Sequence, residues 1–419
     1  MTDARSVIIG VSGGVAAYKA CHLVRYFTEL GDDVRVVPTV NALNFVGAAT
    51  FEALSGNPVD TGVFSRVDEV QHVKVGRDAD LIVVAPATAD VIARIAAGRA
   101  DDLLTATLLV ATCPVVVVPA MHTEMWNNPA AQANVATLRQ RGITVMEPAH
   151  GRLTGPDSGA GRLPEPDAIG EFAQTVAAGY RPTHDWVGRK LVVSAGGTEE
   201  ALDPVRYLGN RSSGRQGFAL GEIAAQRGAQ VTIVAGRTDD LPAPSGAHIC
   251  RVESTREMEK TMREESRDAD VVIMAAAVAD YRPAHEATAK LKKGADNGAL
   301  ETVELVENPD ILAGLVRARE NGDLRQDAVI VGFAAETGDE TASPLEHAQA
   351  KFARKGCDVM MANEVGRGKV FGQSTNEGWL LAKDCSPRQI ASGSKQVVAA
   401  QILDGVNALL PERPGENAL

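Results

Sequence analysis

One pattern occurs twice in this chain and constrains its fold more than any other: an aliphatic run that breaks on a glycine turn and gives way to a helical stretch. Ser6 to Val11 reads as a buried strand, SGG follows, and helical spacing runs from Val15 to about Leu30. At Lys190 the stretch KLVVSAGGT repeats strand and turn, with a helix predicted to begin near Gly214. Between the two lies GYRPTHDWVGRK, polar and proline-bearing, which interrupts all periodicity. The 419 residues are therefore predicted to form one domain over 1–180, a linker over 181–188 and a second domain over 189–419.

Further aliphatic runs follow in each half: DVRVVP, DLIVVAP and PVVVVPA in the first, AQVTIVAG, ADVVIMAAA, AVIVGFAAE and CDVMMAN in the second. Continuous aliphatic strands alternating with helices predict a parallel sheet covered on both faces. The expected fold class is α/β, with two doubly wound, Rossmann-like domains whose ligands sit at the carboxyl ends of strands. The composition suits this, being 45% hydrophobic, only 4% aromatic and rich in glycine (40 residues).

The formal net charge of -12 excludes a protein made to grip nucleic acid nonspecifically, because phosphate binding needs a basic excess. Small anionic ligands need only local charge. Five scattered cysteines without a CxxC pair suggest reduced thiols and a cytoplasmic location. No stretch approaches about 18 consecutive apolar residues, and polar MTDARS passes straight into a strand, so neither a membrane span nor a signal peptide is expected.

Several stretches carry candidate chemistry. The turn GVSGG, Gly10 to Gly14, opens into a helix, where backbone amides favour an anion; such turns also occur without a ligand. Thr88 in APATADVIARIAAGRADDLLT fits either a ligand contact or an ordinary helix cap. His72, in DEVQHVKVGRDAD, is either a surface or core histidine or a proton-transfer group, its free pKa lying near neutrality. VVVVPAMHTEMWNN ends a buried strand in a loop with Met121, His122, Glu124, Met125 and Trp126. HGRLTGPDSGAGRLPEP, residues 150–166, has little to bury and reads as a mobile flap.

In the second half, LDPVRYLGNRSSGRQGFAL places Asn210, Arg211, two serines and Arg215 ahead of a helix, as a phosphorylated ligand requires and as a polar connection also allows. MAAAVADYRP ends a strand in small residues and Asp280, which give backbone access to a flat ligand. KLKK, beginning at Lys290, is either solvated charge or the cationic part of a loop that closes over a triphosphate.

In this order SGGVAAYK, His72, PATADVIARIAAGRADDLLT and PAMHTEMW resemble the flavin-dependent cysteine decarboxylases, which include phosphopantothenoylcysteine decarboxylase, over roughly residues 5 to 170. The resemblance implies an FMN site of Ser12, Gly13, Thr39, Thr88 and Ala89, with His72 as the essential histidine near the substrate carboxylate. His122 stands where that family's signature has asparagine, and Gly155 where bacterial relatives carry a proton-donating cysteine.

From about residue 188 to 410 the chain resembles phosphopantothenate-cysteine ligase. That family activates the carboxylate of 4'-phosphopantothenate with CTP, and cysteine displaces CMP from the acyl-cytidylate. The resemblance makes Asn210 and Lys290 catalytic, the first at the acyl intermediate and the second at the triphosphate. It assigns CTP binding to Met274, Ala275, Ala276, Asp280, Lys290, Asn308, Pro309, Asp310, Ile311, Phe333, Lys351 and Lys355. Magnesium is expected to accompany CTP, with no ligands legible in the sequence. Family resemblance also implies a homo-oligomer, a dodecamer built on threefold and twofold contacts. The expected protein is bifunctional; a ligase with a relic flavin half and a regulatory binding subunit are the other readings.

Overall fold

The computed structural model describes residues 4–60, 76–153, 157–291, 302–336, 342–364 and 375–412. His72, Gly155, Lys292 and Lys293 lie outside the described residues. The chain divides into two compact units, Met1–Pro182 with Pro244–Gly246, and Thr183–Ala243 with Ala247–Leu419.

In the first unit, five strands form a parallel sheet: β1 (Ser6–Val11), β2 (Asp33–Pro38), β3 (Leu81–Ala87), β4 (Val115–Pro119) and β5 (Thr144–Val145). Their spatial order is β2-β1-β3-β4-β5. Every residue of β3 and β4 is buried, which is why these runs are aliphatic throughout rather than alternating. The order reverses between β1 and β3, and a doubly wound sheet opens its ligand crevice at such a reversal, beyond the carboxyl ends of the strands. The helical run predicted from Val15 begins as a tight 3-10 turn, Val15–Ala17, before the α-helix Tyr18–Glu29; tight first turns are common at helix starts.

The stretch read as an irregular flap contains a short antiparallel hairpin of β6 (Ala149–Arg152) and β7 (Ser158–Arg162). Its glycines and polar residues hid it, because a two-stranded ribbon has no buried aliphatic face to betray it.

The second unit begins with β8 (Lys190–Ala195), followed by the antiparallel pair β9 (Glu199–Asp203) and β10 (Arg206–Gly209). β11 (Gln230–Ala235), β12 (Ala247–Arg251) and β13 (Val271–Met274) come next, then the small antiparallel pair β14 (Tyr281–Pro283) and β15 (Leu305–Glu307). β16 (Val329–Glu336), β17 (Val359–Glu364), β18 (Thr375–Ala382) and β19 (Arg388–Ser394) complete the set. The main sheet runs β12-β11-β8-β13-β16-β17-β18-β19. Its first six strands are parallel and reverse their order between β8 and β13. β18 and β19 are antiparallel additions. TNEGWLLA and RQIASGS mix polar with apolar residues, as strands with a solvated face do, so aliphatic continuity did not mark them.

Half of the stretch read as a linker packs into the second unit. Trp186 is fully buried, its amide donates to the Arg227 carbonyl at 3.0 Å, and the Arg227 guanidinium lies 5.3 Å from its ring centroid. Arg227 in turn pairs with Asp185 and Asp404.

Candidate functional site

Each unit gathers its polar turns at the point where strand order reverses. In the first, Ser12 follows β1 and is 1% exposed. Its hydroxyl donates to the Pro86 carbonyl at 2.8 Å and accepts the Thr88 amide at 2.9 Å. Ser12 thus ties the turn after β1 to the turn after β3. Gly13 lies against Asn41, where an added Cβ would sit 2.5 Å from the Asn41 Cβ, so no larger residue fits without a shift. Thr88 caps the helix Ala89–Ala96, accepting the Val91 amide, and Ala89 opens that helix, where first-turn amides lack intrahelical partners.

Thr39, just beyond β2, is 7% exposed, and its buried Oγ1 has no partner among the described residues. Buried hydroxyls are normally bonded, and this one still has its hydrogen-bonding capacity unspent.

Beyond β4 the chain crosses to the same end, with the Ala120 amide donating to the Ala87 carbonyl at 3.0 Å. His122 sits at the N-cap of a one-turn helix, Thr123–Trp126, and makes no capping bond. His122, Glu124 and Met125 are exposed, whereas Trp126 turns inward at 7% exposure and packs with Val117 and Val135 in the core. The hairpin is fastened to this loop at two points. The Met121 amide donates to the Gly161 carbonyl at 2.9 Å, and the Thr123 hydroxyl donates to the Ala160 carbonyl at 2.7 Å. Gly161 has φ +125, and a Cβ there would lie 2.2 Å from the Met121 oxygen. Only glycine allows that approach.

In the second unit, β8 ends in the turn Gly196–Thr198 and β13 ends beside it. The segment Ala276–Asp280 is held along its whole length. The Ala276 amide donates to Ser194 Oγ at 3.1 Å, and the Ala277 amide to the Gly196 carbonyl at 2.8 Å. The Val278 carbonyl accepts from Asn210 Nδ2 at 2.9 Å, and the Ala279 amide donates to Thr198 Oγ1 at 2.9 Å. Asn308 closes the other side, its Nδ2 donating to the Ala279 carbonyl at 2.9 Å and its own amide to the Asp280 carbonyl at 2.8 Å. Met274 is buried, Ala275 and Ala276 are half-buried, and Asp280 is exposed.

Asn210 borders a cleft of about 450 Å³ that is also lined by Thr198, Tyr207, Ser212, Ser213 and Arg237. Lys290 is exposed at the end of a loop anchored to β9 and β10. The Leu291 amide donates to Asp203 Oδ2 at 3.2 Å, and Arg206 bridges the Asp203 carboxylate and the Leu291 carbonyl, the latter at 2.7 Å. The Arg206 guanidinium, with the Val205, Leu291 and Arg206 amides, holds the Asp203 carboxyl well below the usual carboxylate range.

Pro309 precedes Asp310, which caps the helix Ile311–Glu320 by accepting the Ala313 amide at 3.1 Å and pairs with Lys355. Burial pushes the Asp310 carboxyl up, but Lys355 and the Ala313 amide outweigh it and the net shift is downward. Lys351 pairs with Glu336 at 2.9 Å, at the end of the strand that carries half-buried Phe333. Ser194, Thr198, Glu200, Asp203 and Thr255 were not marked by sequence. Only the TEE run after the glycine turn and the LDPVR stretch hinted at them.

A family model for the Flavoprotein family matches residues 1–177, and one for the DNA/pantothenate metabolism flavoprotein C-terminal domain matches residues 186–410. The Coenzyme A biosynthesis bifunctional protein CoaBC of Mycolicibacterium smegmatis is 55% identical over 417 residues, covering 99% of this chain and 100% of the relative. The chain belongs to the CoaBC family. The CoaBC of Mycobacterium tuberculosis H37Rv is 56% identical over 407 residues, and that of Vibrio cholerae 40% over 403, each covering at least 95% of both chains. A solved CoaBC C-terminal domain is 30% identical over 54% of this chain and 98% of its own, at a TM-score of 0.44. CoaBC proteins are bifunctional enzymes of coenzyme A biosynthesis, and this chain carries both activities, phosphopantothenoylcysteine decarboxylase and phosphopantothenate-cysteine ligase. No helix among its described residues is long and apolar enough to cross a membrane.

Proposed function

We propose that residues 1–180 form the decarboxylase, residues 189–419 the ligase, and that the ligase product is the decarboxylase substrate. The observation that carries this is the Ala276–Asp280 segment, whose backbone is bonded at every residue, two of those bonds coming from the cleft-lining residues Asn210 and Thr198.

In the ligase, Met274 to Ala276, Asp280, Asn308 to Ile311 and Phe333 hold CTP. Lys351 and Lys355, paired here with Glu336 and Asp310, turn toward the nucleotide. Lys290 reaches the triphosphate from its anchored loop and offsets charge as the 4'-phosphopantothenate carboxylate attacks the α-phosphorus and pyrophosphate leaves. One N–H of the Asn210 amide is engaged by Val278. Its second N–H and its oxygen are left for the acyl-cytidylate carbonyl and the incoming cysteine amine, which displaces CMP. Magnesium enters with the triphosphate; among the described residues no cluster of three or more His, Cys, Asp or Glu offers it a cage.

In the decarboxylase, an FMN site is supported by the buried Thr39 hydroxyl, which has no partner among the described residues, and by the close approach at Gly13. Ser12, Gly13, Thr39, Thr88 and Ala89 cradle FMN, Ser12 by bracing the two turns and the others by contact. When bound, FMN supplies the reversible two-electron oxidation that makes the cysteine carboxylate a leaving group. His72 and His122 hold that carboxylate before it leaves as carbon dioxide. Gly155 has no side-chain proton to return to the enethiolate, so that step falls to another group or to water.

The enzyme is cytoplasmic and a dodecamer, trimeric through the flavoprotein half and dimeric through the ligase half, a reading supported by family resemblance and tested by light scattering. Supplied with 4'-phosphopantothenate, cysteine and CTP, the purified protein is expected to release CMP, pyrophosphate and carbon dioxide, and to show flavin absorbance as isolated. Formation of 4'-phosphopantothenoylcysteine without carbon dioxide would overturn the bifunctional assignment.

A further inference from the structure

Four buried side chains lie behind the Ala276–Asp280 segment: Thr198, Glu200 and Thr255, which have no place in the chemistry above, and Asn308, one of the residues placed at CTP; they are 1%, 3%, 0% and 8% exposed. Glu200 Oε1 takes two donors, the Thr255 amide at 2.9 Å and the Thr255 hydroxyl at 2.7 Å. An oxygen that accepts twice is the acceptor, so the Thr255 proton is committed to Glu200. The contact of 3.0 Å between the two threonine hydroxyls must then be donated by Thr198. Thr198 Oγ1 itself accepts the Ala279 amide at 2.9 Å. Asn308 Nδ2 feeds the same chain, donating to Thr255 Oγ1 at 3.2 Å and to the Ala279 carbonyl at 2.9 Å. Arg282 fixes the remaining Asn308 oxygen by donating to it at 3.0 Å.

Every donor along this path points one way: Ala279 N–H to Thr198, Thr198 to Thr255, Thr255 to the Glu200 carboxylate. Bonds aligned head to tail polarise one another and strengthen the whole chain, most of all where it ends on a carboxylate in a buried setting. Thr255 is also the first residue of the helix Thr255–Glu265, so Glu200 sits at the positive end of a helix dipole.

We infer that Glu200, Thr255, Thr198 and the Asn308 side chain form a one-way hydrogen-bond relay that sets the Ala276–Asp280 backbone for the nucleotide before it arrives. Their side chains are positioning groups, with no contact to CTP, so that Asn308 meets the nucleotide through its backbone alone. The relay also fixes which side-chain atoms face the ligand. Asn308 acts on the site through Ala279, because both its amide protons and its oxygen are spent inside the protein. The inference rests on the reading that this segment holds CTP.

The test is ligation kinetics on the full chain. Thr255→Val keeps the shape of the side chain and removes the hydroxyl, leaving Thr198 without its acceptor. It is expected to raise the KM for CTP about tenfold, the effect of one buried bond lost, while kcat changes less than about twofold and Thr255→Ser restores the KM. A fall in kcat with unchanged KM, or a failure of serine to rescue, would mean a merely structural role and overturn the relay. Asp280→Ala separates the two claims. If it raises the KM for CTP and Thr255→Val does not, the relay fails alone; if neither raises it, the placement of CTP fails. Amide exchange on the unaltered protein needs no variant. Strong protection of the Ala279 amide without CTP is expected, and protection that appears only when CTP is added would overturn pre-setting.

Discussion

Asn210 Nδ2 donates to the Val278 carbonyl at 2.9 Å, joining the residue assigned to acyl transfer to the segment assigned to the nucleotide. Asn210→Asp would place a carboxylate oxygen against that carbonyl. The variant is expected to lose about 100-fold in ligation turnover, the scale seen when one transition-state donor is removed. Acyl-cytidylate should accumulate while decarboxylation of supplied 4'-phosphopantothenoylcysteine continues. Quenched-flow detection of the intermediate checks this, and loss of both activities in folded protein would refute the division of labour.

His122 and His72 divide the opposite way. His122→Ala and His72→Asn are each expected to cut carbon dioxide release by about 100-fold, the lower end of the range for a positioned proton-transfer group. CMP release in the ligase assay should stay at its starting rate. Full decarboxylation by His122→Ala would make this histidine an ordinary exposed loop residue.

The hairpin anchor can be tested at Gly161. Its φ of +125 and the 2.2 Å approach to the Met121 oxygen mean that Gly161→Ala must displace either β7 or the His122 loop. A strained position of this kind costs about 1–3 kcal/mol locally. The expected result is a decarboxylation rate lowered at least tenfold, with flavin absorbance retained because the Ser12 bonds to Pro86 and Thr88 do not involve the hairpin. Unchanged carbon dioxide release would show that the hairpin has no part in the reaction.

Lys395, at the start of the helix Lys395–Asn407, is pushed down from 10.5 to about 8, first by burial and then by the Arg215 charge. The native pKa lies below that of the unfolded chain. Between about pH 8 and 10.5 the unfolded state holds a proton that the native state has lost, so this residue's contribution to stability rises with pH through that window and is least favourable below it. Lys395→Met should flatten the rise and leave the second unit more resistant to urea at pH 7. Urea midpoints at pH 7, 8, 9 and 10 for both proteins decide it.

Trp186 tests the packed end of the polar stretch. Trp186→Ala is expected to destabilise the second unit by about 3–5 kcal/mol, as truncation of a buried aromatic does. Arg227 would then keep its acidic partners but lose the ring beneath it. A ligase fragment beginning at Lys190, without Thr183 to Arg189, should show a similar loss in its unfolding midpoint. Equal midpoints for the fragment and a version starting at Pro182 would show the packing to be dispensable.

The amino-acid sequence by itself determined the α/β class and the parallel strands, because a strand buried on both faces must be aliphatic at every position, as β3 and β4 are. The order of its motifs also identified the family. Tertiary structure alone decided the rest. β18, β19 and the hairpin of β6 and β7 are mixed or glycine-rich, and their pairing depends on what they lie against. Trp126 could be a ligand residue or core from spacing alone, and its burial against Val117 and Val135 decides for core. The roles of Glu200, Thr255 and Asn308 depend on bonds spanning 55 and 53 positions, and no local pattern encodes a partner that far along the chain.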